Sequence, residues 1–106
     1  MSILLIPEGD AYAYEAVDLT DDAAHGITAT NLYDSNDRPC KFAIITIADN
    51  TVNFRNDGTA PLTTTGHIFA ATTTPFLIVG FNNVKNMSFI NAVGASDGVP
   101  RVSFYS

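Results

Sequence analysis

The chain has 106 residues, a length that suits one domain around one core. Hydrophobic residues make up 46% and charged residues 15%, which excludes a disordered chain and leaves Thr, Asn and Ser to supply much of the polar surface. The net charge of −6 excludes the clustered basic surface that nucleic-acid binding requires.

"MSILLIP" (1–7) has no basic n-region and no long apolar h-region, so it is read as no signal peptide. No run approaches the ~20 apolar residues of a membrane span. "AYAYEAVDL" (11–19) predicts a first strand with Tyr12, Tyr14, Ala16 and, less cleanly, Asp18 on one face. In "TDDAAHG" (20–26), Thr20 is placed to cap a single helical turn that Gly26 ends. "ITATNLY" (27–33) reads as a second strand, and "DSNDRP" (34–39) as a loop. "KFAIITIA" (41–48) is apolar on both faces and predicts a central, doubly covered strand.

"DN" (49–50) is a tight-turn signal, and "TVNFR" (51–55) alternates. Val52 and Phe54 are expected inward, with Thr51, Asn53 and Arg55 outward, so 41–55 reads as a hairpin. "HIFA" (67–70), "FLIVGF" (76–81), "MSFINAV" (87–93) and "RVSFY" (101–105) complete about eight short strands, with no substantial helix. "NNVKN" (82–86) and "GASDGVP" (94–100) are the connections. Short apolar runs closed by Gly, Pro, Asn or Asp mark an antiparallel β-sandwich, here expected to be jelly-roll-like, spanning 1–106 as one domain. "FLIVGF" is an aggregation hazard when exposed, so cover by the fold or by a partner is expected.

Charge is uneven. Residues 1–50 hold nine of the eleven acids and two of the five bases. Either one edge of the fold is acidic or, more simply, the charge is scattered and solvated. Cys40 stands alone, which leaves no internal disulfide or cysteine zinc site and suits a reducing cytoplasm.

Catalytic chemistry finds no template. There are two histidines, His25 in an acidic turn and His67 at a strand start, and no G-x-S-x-G. His67 is expected half-buried, donating to a neighbouring carbonyl. Asp34 and Asn36 imitate the start of a calcium loop. Arg38, Pro39 and Ile45 then stand where a ligand, a glycine and a bidentate acid belong, so an Asx-turn fits better. Asp21 and Asp22 read as a solvated acidic turn. Tyr12, Tyr14, Tyr33 and Tyr105, with Arg101, would be the makings of a carbohydrate-binding face, although there is no Trp. No catalytic residue, metal ligand or cofactor is assigned.

One ordered set of motifs runs through residues 38–106. It begins "RPCKFAIITIADNTVNFRNDGTAPLTTTGHIF", continues with an apolar strand and "NVKNMSFINA", and closes on "RVSFYS". Arg55, Asp57, Gly58, Thr59 and Pro61 form an R-x-D-G-T-x-P turn. Gly66 and His67 open the next strand, and Asn83 or Asn86 precedes Phe89 and Ile90. This combination resembles a group of small β-sandwich structural proteins of tailed bacteriophages; the acidic tract in residues 1–37 has no match in that pattern. The resemblance implies a virion protein, made in the host bacterial cytoplasm, that decorates or cements the capsid without catalysis. The partners implied are the major capsid protein or other virion proteins, together with copies of itself in a trimer or larger ring. The alternatives are a head–tail or tail accessory protein, or a carbohydrate-binding module. The loop carrying Arg55, Asp57, Gly58, Thr59, Pro61 and His67 is the candidate interaction site.

Overall fold

The computed structural model describes residues 8–92 and 96–106. The opening run 1–7 and the last residue of the predicted strand 87–93 lie outside the described residues, as does the start of the connection 94–100. The elements are β1 (Ala11–Ala16), β2 (His25–Gly26), a 3₁₀ helix (Ala29–Leu32), β3 (Phe42–Ala48), β4 (Val52–Arg55), β5 (His67–Phe69), β6 (Thr72–Val79), α1 (Phe81–Lys85), β7 (Ser88–Asn91) and β8 (Val99–Tyr105). They form two four-stranded antiparallel sheets, ordered β1-β8-β3-β6 and β2-β7-β4-β5. This is the eight-stranded, double-sheet arrangement of a jelly roll.

The core fills the space between the sheets. Ala43, Ile45 and Ile47 of β3 and Val102 and Phe104 of β8 face Val52 and Phe54 of β4 and Phe89 of β7, all of them buried. Phe54 is the hub of the aromatic packing. Its ring lies 5.3 Å from Phe89, 5.6 Å from Phe69 and 6.2 Å from Phe76. Such offset and edge contacts add to the area they bury. At one end, the buried Asn91 amide donates to Leu19 O (3.0 Å) and Asp97 Oδ1 (2.8 Å), while its oxygen accepts from Gly98 N (2.9 Å). That network ties the acidic turn to the approach to β8.

Several expectations are corrected. Residues 41–55 are not a hairpin, because β3 and β4 lie in different sheets. β3 already has β8 on one side and β6 on the other. β4 therefore has no place beside it, and Val52 and Phe54 reach the core from the opposite layer. The crossing is a tight bend at Asp49 (φ 71°), with Asn50 N donating to Ala48 O at 2.9 Å. β3 is central, but only its inner face is fully covered. Ile44, Thr46 and Ala48 are half-exposed, while the outward Phe42 is buried and stacked on Tyr105 at 4.5 Å.

The predicted strand 27–33 instead carries the 3₁₀ helix Ala29–Leu32. Glu15 draws this segment in by accepting from Thr28 N (2.8 Å), Thr28 Oγ1 (3.0 Å) and Asn31 Nδ2 (3.1 Å). Such side-chain bonds compete with a strand ladder. Tyr12 does not share a face with Tyr14. A register shift between Ala11 and Ala13 turns Tyr12 toward Phe104, and its hydroxyl donates to Asn31 O at 2.6 Å. Thr20 caps no helix, because residues 20–22 form a turn in which Asp18 accepts from Thr20 N (2.9 Å). The strand predicted at 76–81 starts earlier and ends at Val79, and residues 81–85 are the short helix α1.

Candidate functional site

The loop between β4 and β5 joins strands that are neighbours in one sheet, the true hairpin of this region. Its geometry is set from both ends. Arg55 is the last residue of β4, and its guanidinium grips Asp57. Nε donates to Oδ1 at 3.1 Å, and a second guanidinium nitrogen donates to Oδ2. Asp57 Oδ1 also accepts from Thr59 N at 3.2 Å. The Arg55 hydrogen bonds, reinforced by Thr59 N–H, hold the Asp57 carboxyl below its usual range. Gly58 completes the turn at φ 86°, in the region that favours glycine.

At the other end Gly66 has φ 135°, and a Cβ there would lie 3.0 Å from Phe54 O. Between the two glycines, Leu62 and Thr65 exchange two main-chain hydrogen bonds of 3.1 Å, making a small secondary turn. Asn53 clamps this turn onto the sheet, its Nδ2 donating to Leu62 O (3.0 Å) and Thr63 O (2.8 Å). Asn53 is thereby buried, which corrects its expected exposure; Pro61 is buried as well. Leu62 and Ile68 remain 60% and 72% exposed. Ile68 lies directly across the ladder from Asn53, so both apolar side chains flank the same clamp.

The structure brings Arg55, Asp57, Gly58, Thr59 and Pro61 together with His67 in this one loop. His67 is exposed rather than half-buried, its ring tilted against Phe54 at 6.4 Å. Asn53, Leu62 and Ile68 were not identified from sequence. An Asn within an alternating strand gives no local sign that a later loop will cover it.

The other candidates are dispersed. His25 Nε2 bonds Asp21 at 2.7 and 2.9 Å. That pair borders a shallow acidic cleft with Glu15, Asp18 and Thr28. Cys40 is buried, its thiol donating to Phe42 O at 3.2 Å. Asp34 makes the expected Asx-turn, accepting from Asn36 N and Arg38 N at 2.9 Å each. Its other oxygen accepts from Ser106 Oγ at 2.7 Å, and these bonds, Ser106 foremost, lower its pKa to about 2. Among the described residues, no three His, Cys, Asp or Glu side chains converge as metal ligands. None of the described helices is long and apolar enough to cross a membrane.

The four tyrosines do not form one platform. Tyr12 packs on Phe104, where burial raises its pKa above the usual tyrosine value. Tyr105 stacks on Phe42, Tyr33 leans on Phe81 at 5.6 Å, and Tyr14 stands exposed on β1.

Comparison with family models, with curated proteins and with solved structures finds no match to the chain.

Proposed function

We propose that the protein is a structural component of a tailed-bacteriophage virion, a decoration or cement protein that docks on the head lattice through the loop 55–68. The observation that carries the reading is the pre-organised loop, which holds Leu62 and Ile68 in the open. Rigid loops bind with little ordering cost, so even a small apolar contact contributes to affinity. The motif resemblance lies on the same loop. Jelly rolls recur in viral capsid domains, which supports the reading by analogy of fold alone. The partner is the major capsid protein or another virion protein, and the protein acts by binding rather than turnover. Repetition over a symmetric shell lets modest contacts add up.

The test uses particles stripped of this protein. Added wild-type chain is expected to rebind and to raise the temperature at which the particles rupture. Leu62→Asp with Ile68→Asp, shown to be folded by circular dichroism, is expected to bind more than about tenfold more weakly. The reading fails if wild type does not rebind, or if rupture is the same with and without it.

A further inference from the structure

The β1-β8-β3-β6 sheet ends in two strands, β1 and β6, that pair on one side only among the described residues. Such edges present unpaired main-chain groups to any strand that fits them. The first half of β6 carries protective devices. Pro75 is exposed there, and the register shifts between Ile45 and Ile47 of β3. The second half, Phe76–Val79, has neither a proline nor a charge.

The outward side chains of the two edges match. Tyr14 pairs with Ser103, Ser103 with Ile44 and Ile44 with Leu77, so these four form one row across the outer face. Tyr14 is 60% exposed at one end of the row, and Leu77 is 39% exposed at the other, next to Val79 at 51%. The charges are opposite. Residues 8–22, which contain β1, hold six acids and no base. Residues 58–96, which contain β6, hold no acid. Lys41 is exposed beside the end of β6, where its carbonyl accepts from Gly80 N at 2.8 Å.

We propose that copies of this chain join head to tail, β6 of one copy pairing beside β1 of the next. Joining β1 to β1 would set acid against acid, and joining β6 to β6 would set Lys41 against its equivalent. The β1–β6 contact pairs opposite charges and continues the apolar row from Leu77 and Val79 onto Tyr14. It is a heterologous interface, which builds a ring where the rotation closes and a filament where it does not. The inference supplies a contact for the self-association that the motif resemblance implies, and its test uses copies of this chain alone, without particles, so it can fail while the virion reading stands.

Sedimentation of the full chain tests it. Wild type is expected to show a mass that grows with concentration and falls back as salt is raised. Tyr14→Asp buries a carboxylate against Leu77 and Val79, and Val79→Asp sets one against the acids around β1. Each folded variant alone is expected to be a monomer. Mixed, each still owns the edge the other lacks, so a one-to-one dimer is expected, and an isologous interface gives none. Wild type that stays monomeric at about millimolar concentration, variants that still self-associate, or a mixture without dimer would overturn the proposal.

Discussion

Asn53 and Leu62 are joined across the candidate loop, the Asn53 side-chain amide donating to the Leu62 main-chain carbonyl at 3.0 Å. The same nitrogen reaches Thr63 O at 2.8 Å. One buried amide thus sets where the loop's exposed apolar residues sit.

Replacing it should loosen the loop before it unfolds the domain. Asn53→Ala takes the side-chain donor from Thr63 O and from Leu62 O, which keeps only Thr65 N, a loss of about 1–3 kcal/mol in the denaturant unfolding free energy. Cleavage by a protease within 56–66 should speed up at the same time. An unchanged cleavage rate would mean that the clamp does not hold the loop.

The two glycines of the loop should respond differently. Gly58→Ala meets no atom within 4 Å, so it suffers only the unfavourable φ, a cost of about 1–2 kcal/mol. Gly66→Ala suffers its own φ of 135° and also crowds Phe54 O at 3.0 Å. Its thermal midpoint should fall further than that of Gly58→Ala; equal losses would show that the crowding is relieved by small shifts.

Acid should unfold the protein partly through Asp34. Its pKa is lowered from 3.8 to about 2 by Ser106 Oγ and the Arg38 and Asn36 amides. The unfolded chain therefore takes up the proton first. The stabilisation is fully present above about pH 4 and is lost as pH falls toward 2. Urea midpoints measured across that window should slope less steeply in Asp34→Asn than in wild type. Identical slopes would assign the acid sensitivity to other groups, such as Asp57.

Core truncations should rank by layer. Phe89→Ala removes a wholly buried ring that packs on Phe54 between the sheets, a loss of about 3–5 kcal/mol. Phe42 is also buried, but on the outer face against Tyr105, which can relax over the space. Phe42→Ala should fall near the lower end of that range, as read from chemical denaturation.

The strand content, the jelly-roll class and the inward residues Val52 and Phe54 were legible in the sequence. Side-chain alternation has a period of two whichever strand lies alongside, so a local pattern reports it faithfully. The turn chemistry of Asp57-Gly58 was legible for the same reason, as was the Asx-turn at Asp34. Sheet membership was not. Asp49-Asn50 bends the chain in the same way whether β4 returns beside β3 or crosses to the other layer. Only the occupation of both sides of β3 by β8 and β6 decided between these.

The tertiary structure also decided the fate of single residues. The 3₁₀ helix at 29–32 follows from Glu15, which lies more than a dozen residues away in sequence. Tyr12 turns inward through a register shift against β8, and Asn53 is buried by a loop that comes after it. By itself the sequence determined which residues seek the core and where the chain bends, because those depend on neighbours along the chain. Which sheet each strand joins, which polar side chains are buried and which edges stay open depend on distant partners, and only the packed fold supplies them.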